Sequence, residues 1–458
     1  MYRMIQTIGI LVLLPLLLSG QAASVTGSQA EPDFNRINNE TYRLYLAGEW
    51  DSLLVVGKEA LRMGIDYYYL RMRMGIAFYK QEDYRKATFH FRKALSWNNE
   101  DPTALEYLYY SLLFSGRGEQ AGLVRKRFRG DLALRLPPEK GRFLEGISAE
   151  YLYAHRLDAG LLSDPETLFA GLPAGTQVVP VRYSNGSLSL VHDPGPGIAL
   201  QHAYTFLYKS NHLYYNDGTN QLNLSGQTVY QHQYYISPQF TTFSGLTLKP
   251  ALHILSVHYQ APVQIAPGYQ GGSPSVDMAF FRYTDYLAGM GLVQSAGRWD
   301  LHLGLHYSSL NRAKQAQGRL GVTWYPLGNL DLYGGAFING QTVLSGTDQG
   351  VRFIPEALLG FGIGRKLWID LQASAGDIRN YHESNGYIVY NGYGETTERK
   401  AVLSVTIPLS EKGSMVYLGG RWVRGRSEYL PSDPLATTEI NAIKYNIFST
   451  YGGIIWKF

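Results

Sequence analysis

Two hydrophobic periods divide the chain. From about residue 34 to 130, apolar positions recur at the three-to-four-residue spacing of a helix. From about Glu145 onward the spacing falls to two, which puts alternate residues on opposite faces of a strand. In Asp300 to Ser308, Leu301, Leu303, Leu305 and Tyr307 take one face, while Asp300, His302, Gly304, His306 and Ser308 take the other. Leu367, Ile369, Leu371 and Ala373 oppose Trp368, Asp370, Gln372 and Ser374. Leu403, Val405 and Ile407 oppose Ser404 and Thr406. The chain closes on Phe448, Thr450, Gly452, Ile454, Trp456 and Phe458 on one face, an apolar row ending in an aromatic pair. That ending suits a lipid-facing strand whose end sits at a membrane interface.

One dry face is common to sandwiches and membrane barrels, and the connections separate them. Tight turns at Ser295–Arg298, Pro326–Asn329, Gly364–Lys366 and Ser410–Gly413 alternate with longer segments. Those segments are Ala261–Ser275, Ser309–Gln315, Thr342–Gly350, Asn380–Lys400 and Glu428–Ile440. Strict alternation of short and long loops is the barrel pattern. The pattern predicts strands at 146–155, 181–191, 198–210, 222–236, 244–259, 277–295, 299–310, 316–325, 329–341, 352–363, 367–379, 400–409, 414–427 and 442–457. That is about 14, or 12 if His192–Gly197 is an ordinary loop and the first two strands fall away. Both counts are even, as two ends on one side require. Counting back from a periplasmic C-terminus puts the tight turns and the end of the helical region on the periplasmic side. The expected fold is therefore a helical domain over 34–135 followed by a transmembrane antiparallel β-barrel over 145–458.

The helical region repeats at 34 residues: Trp50 with Tyr84, Ala60 with Ala94, Ala87 with Ala121. Gly75, Phe78, Ala87, Phe91 and Ala94 resemble the alternating small and large positions of a tetratricopeptide repeat. About three such units are expected, with a generic array of helical hairpins as the alternative. Asp101-Pro102 opens a helix, Pro standing at a permitted first-turn position. Ahead of them, Arg3, the apolar run Ile8 to Leu18 and Ser-Gly-Gln-Ala-Ala read as a secretory signal over 1–23, cleaved after Ala22 or Ala23. The run is too short to span a bilayer, which takes about 20 residues.

Composition agrees with a membrane barrel. The 458 residues include 36 Tyr and 50 Gly, and only 17% are charged, against about 25% in ordinary soluble domains. With no cysteine, disulfides, thiolate metal sites and a lipid-bearing cysteine are excluded. A net charge of +4 gives no case for nucleic acid.

Polar residues on the inner face are the candidate lumen lining: Asp300, His302, His306, Arg319, Asp331, Glu356, Asp370, Gln372 and Arg421, with Tyr325, Tyr333 and Trp368 as stacking platforms. On the lipid face a charge costs about 2–4 kcal/mol at midplane, so these point inward. They form either a polar pathway or a filled, ion-paired interior. His302 and His306 stand about 13 Å apart along a strand, too far for one metal. Ser308 and His306 share a face, without the glycine elbow of a hydrolase. No catalytic residue, cofactor or metal is expected. Tyr69, Met72, Ile76 and Tyr79 lie together on the first helix of the second repeat, as a candidate groove for a partner.

Helical repeats ahead of a C-terminal barrel that ends on Phe458 resemble the YaiO-type outer-membrane barrel family. More distantly, the arrangement resembles exporters of cellulose-like or poly-N-acetylglucosamine polymers. These resemblances imply a porin-like barrel in the outer membrane and a periplasmic repeat domain that meets a protein partner. They also imply a role in surface polysaccharide export or assembly. An outer-membrane enzyme acting on lipid or glycan, and a structural anchor for periplasmic proteins, are the alternatives.

Overall fold

The computed structural model describes residues 30–136, 143–157, 172–218, 221–265, 275–344, 350–364, 366–410, 413–433 and 442–458. The segment expected to be a signal, 1–23, lies outside them. The chain divides into two units, residues 1–65 and 66–458. The first contains α1 (Ala30–Ala47) and α2 (Trp50–Arg62), with Tyr45 edge-on to Trp50.

The second unit opens with α3 (Tyr68–Lys80), α4 (Tyr84–Ala94), α5 (Pro102–Phe114), α6 (Gly118–Arg125) and α7 (Gly130–Arg135). Its helix starts follow from local chemistry. The Asp83 carboxylate accepts the Lys86 amide at 3.2 Å, and Asp101 accepts that of Ala104 at 2.6 Å, each satisfying a free N–H of a first turn. α2, α4 and α6 begin at residues 50, 84 and 118, and α3 and α5 at 68 and 102, so each start recurs after 34 residues. Phe78, Ala87, Phe91 and Ala94 are buried, and the Phe91 ring stacks on Tyr107 at 5.3 Å.

Fourteen strands follow: β1 (Gly146–Arg156), β2 (Gly175–Gly195), β3 (Ile198–Asn216), β4 (Gln221–Thr241), β5 (Leu246–Ile265), β6 (Ser275–Ala296), β7 (Trp299–Ser308), β8 (Gln315–Trp324), β9 (Leu332–Val343), β10 (Val351–Ile363), β11 (Leu367–Ile378), β12 (Glu395–Pro408), β13 (Met415–Ser427) and β14 (Ile443–Lys457). Each pairs antiparallel with its neighbours in sequence, and β1 pairs with both β2 and β14, so the sheet closes. The larger of the two expected counts holds: the ladder from Gly146↔Val191 to His155↔Arg182 secures the first two strands.

The six connections that follow β2, β4, β6, β8, β10 and β12, of two to seven residues each, join strand ends on one rim, together with the start of β1 and the end of β14. The others, from four residues at 217–220 to eighteen at 157–174, join strand ends on the opposite rim. β2 to β6 run 19–22 residues, while the other barrel strands run 10–15. A tilted strand crosses a bilayer in about 9–11 residues, so these five stand beyond it as a wall on the long-loop side.

The outer face carries Leu301, Leu303, Leu305, Leu320, Ile338, Leu359, Leu371, Leu403, Leu418 and Ile454, all exposed. Near the short-turn rim Trp299 stacks on Trp324 at 5.8 Å, and Trp456 and Phe458 stand exposed at the end of the chain. An apolar belt closed around a barrel and edged by tryptophan is matched to lipid. Among the described residues, no helix is long and apolar enough to cross a membrane.

Two expectations need correction. Asp331 stands in the β8–β9 turn and not on a strand, because β9 begins at Leu332. Asn380–Lys400 is not one outer loop: β12 already begins at Glu395, and residues 379–394 turn inward.

Candidate functional site

At the short-turn rim, α4 to α6 reach four consecutive turns. The Arg85 amide donates to the Gly328 carbonyl at 3.0 Å. Arg298 ion-pairs with Asp83 at 2.5 Å. Gln120 donates to the carbonyls of Thr242 and Phe243, both at 3.1 Å. Leu123 packs on Gly197. Gly328 is required here: its φ is +77°, and a Cβ would lie 1.9 Å from an Asp83 carboxylate oxygen.

The centre of this docking is the Arg85 guanidinium, 2% exposed. It donates to both oxygens of Asp300, at 2.8 and 3.0 Å, and lies 3.5 Å over the Tyr325 ring. The bidentate geometry and the stacked ring suit Arg and would not suit Lys. Burial, then the nearby charges of Arg92 and Arg85, push the Arg117 guanidinium below its usual range. Burial beside Asp193 and Glu145 raises Glu119 to about 6.

Farther into the barrel, Arg319 forms a fork with Glu356 at 2.6 and 3.0 Å and stacks over Phe337 at 4.0 Å. Gln372 donates to the same carboxylate at 2.8 Å. Tyr333 donates to Asp370, and its ring lies where the Cβ of any residue but glycine at 360 would stand. This is how an interior rich in tyrosine packs against a wall rich in glycine.

Above these layers lies the inward segment 379–394. It holds a small hairpin, Tyr381–Glu383 paired with Ile388–Tyr390, whose Tyr381, His382 and Glu383 are buried. The barrel wall binds it from many sides. Gln315 and Gln341 both donate to the Asn380 carbonyl at 2.6 Å, and Gln317 donates to that of His382 at 2.9 Å. Asn385 donates to the Lys249 carbonyl at 2.9 Å and meets His306 Nε2 at 3.0 Å. His253 meets the Gly386 carbonyl at 2.7 Å, and Ser187 meets the Tyr387 hydroxyl at 2.9 Å. The Lys400 ammonium contacts both oxygens of Glu383 at 2.5 Å; both side chains are almost wholly buried. Backbone in a low-dielectric interior must find such partners. The segment therefore lies inside the barrel, bonded to strands on several sides of the wall.

Between this hairpin and the long-loop rim a cavity of about 520 Å³ remains. Aliphatic residues such as Leu207, Val229 and Val257 share its wall with Tyr183, Tyr283 and Tyr390. Among the described residues, four charged side chains line it: Lys209 and Glu395, which pair with each other, and Arg312 and Arg421.

The structure distributes the residues singled out in the sequence over these layers. Asp300 belongs to the helix docking at the rim, and Arg319, Glu356 and Gln372 form one cluster, with Asp370 beside them on β11. His302 meets the Thr323 hydroxyl at 3.0 Å, and His306 meets the inward hairpin. Asp331 pairs with Asn329 in its turn. Arg421 reaches the cavity. Ser308 and His306 form no pair: Ser308 accepts from Gln315, while His306 bonds Asn385. Of the proposed groove, Tyr69 is exposed, Met72 and Ile76 are buried, and Tyr79 is ringed by Tyr84, Tyr107 and Phe114. The four present no common open face. Among the described residues, no group of three or more His, Asp or Glu could hold a metal ion.

Sequence reasoning missed Arg85, Glu383, His382, Lys400 and Lys209. The Tyr-Ile-Val-Tyr run at 387–390 was the available signal, being unusually apolar for an exposed loop.

No protein-family model and no curated protein matches the sequence. Solved structures do match. The P. putida toluene transporter TodX is 10% identical, with a TM-score of 0.42, over 72% of this chain and 95% of that one. The Ralstonia pickettii toluene transporter TbuX is 9% identical, with a TM-score of 0.41, over 72% and 94%. A Pseudomonas aeruginosa FadL homologue is 8% identical, with a TM-score of 0.39, over 68% and 89%. These are likenesses of fold alone.

Proposed function

We propose that this protein is a gated conduit in the outer membrane of a Gram-negative-type bacterium. Its repeats, of tetratricopeptide type, stand in the periplasm and meet a periplasmic protein partner, with α4 to α6 seated on the short-turn rim. The observation that carries the reading is the segment 379–394, held across the lumen by hydrogen bonds with a cavity left beyond it. A filled barrel that served only as an anchor would not need a chamber at its outer mouth. The hairpin is fastened by apolar packing of Tyr381, Tyr387 and Val389 and by many polar contacts, and the polar ones can be replaced by water or a solute, which suits a gate.

Surface polysaccharide export remains a proposal for the cargo. A polymer needs the hairpin and the rim closure open together, so a small solute fits the chamber more simply. The role is that of a passage and not of an enzyme. An enzymatic reading lacks its Ser-His pair at 306 and 308.

Reconstitution in planar bilayers tests this. The unmodified chain should open rarely. Replacing residues 381–390 by a short Gly-Ser link, together with Arg85→Ala, should give steady currents at least severalfold more frequent. Silence in the doubly altered protein, once shown to be a folded barrel, would contradict the conduit.

A further inference from the structure

The outer chamber has a chemical asymmetry. Lys209 and Glu395 neutralise one another. Arg312 lies over the Tyr283 ring at 5.2 Å, and the Asp285 carboxylate beside it accepts the amides of Asn311 and Arg312. The nearby Lys400–Glu383 pair is closed in direct contact and shares the Tyr390 hydroxyl. Arg421 is different. Among the described residues its one hydrogen bond runs from a terminal nitrogen to the Tyr183 hydroxyl, at 2.5 Å, and its guanidinium lies 5.8 Å from the centre of the same ring. Its Nε is buried without a partner, and among the described residues no carboxylate stands within ion-pair distance. A guanidinium in that setting has lost part of its hydration and has no carboxylate in direct contact, the Glu383 charge reaching it only from a distance.

From this we infer that the chamber binds a small amphipathic anion, with its carboxylate or phosphate head on Arg421 and its apolar body against the aliphatic wall. The planar fork of Arg421 leaves N–H groups free for a two-oxygen head. Leu207, Val229, Val257 and Val423 supply the apolar surface, and the tyrosines line its polar edge. A volume of about 520 Å³ falls within the roughly 300–1,000 Å³ of small-molecule sites. Glu395 does not oppose the anion, because Lys209 holds it. The inference deepens the conduit reading by naming a cargo class, yet binding is read without flux. Its failure would leave the conductance result standing, and the reverse holds as well.

The test is equilibrium binding to the full-length protein in lipid nanodiscs, corrected against empty nanodiscs, with decanoate, decyl phosphate, decanol and glucuronate as probes. Decanoate or decyl phosphate should bind at least tenfold more tightly than decanol, and the stronger of the two identifies the head. Arg421→Met should bring the anions down to the level of decanol and leave decanol unchanged. Arg421→Lys should retain part of the preference. Equal binding of decanoate, decyl phosphate and decanol to the unmodified protein overturns the inference, even if the variants fail to assemble. So does unchanged anion binding in folded Arg421→Met, or binding of glucuronate in place of the alkyl anions.

Discussion

At the scale of single residues, the interior is governed by paired charge. Lys400 and Glu383 are 2% and 3% exposed and in direct contact, so each sets the other's charge against its own where water cannot. Glu383→Gln strands the ammonium and should destabilise the protein by about 3–5 kcal/mol, as for other broken buried pairs. Lys400→Met combined with Glu383→Gln should recover part of that loss. Denaturant titration of the folded barrel in detergent gives both values; a double variant no more stable than the single one would contradict the pairing. The sequence foretold that polar side chains would point inward, because alternation along a strand is local. It could not foretell their partners. Arg85 and Asp300 stand 215 residues apart, and no periodicity links them.

At the scale of elements, legibility followed the length of the pattern. Strands with several alternations, such as β7 and β11, were visible, and so was the 34-residue spacing of the helices. The hairpin within 379–394 was not, since three-residue strands are too short to carry a period. Its polar and glycine residues resemble those of an exposed loop, although the wall of the barrel takes the place of water around them. The docking of α4 was hidden as well: Asp83 caps its own helix and, with the same side chain, meets Arg298. That double use makes Gly328 a sensitive position. Gly328→Ala combines a strained φ with a collision on Asp83, so α4 should lift from the turn. Amide hydrogen exchange should quicken across α4 to α6 while the barrel strands stay protected. Unchanged exchange in α4 would contradict the docking.

For the whole molecule, a closed sheet with an oily outer belt fixes which surface meets lipid, and in the proposed conduit the inward hairpin and the helices at the short-turn rim control the lumen. Leu303 lies in the middle of that belt, so Leu303→Arg should cost about 2–4 kcal/mol in bilayer-folded stability. The same substitution on a surface facing water would cost less than 1 kcal/mol. Occupation of the lumen by the inward hairpin is the claim on which the functional account turns. Because the chain has no cysteine, one thiol can be placed at will. His382, 4% exposed, and Tyr393, 61% exposed, are the informative pair. In bilayer-reconstituted protein, His382→Cys should react with a membrane-impermeant maleimide at least tenfold more slowly than Tyr393→Cys, and at the same rate once unfolded. Equal rates in the folded barrel would mean that the segment stands in solvent and that the lumen is not gated by it.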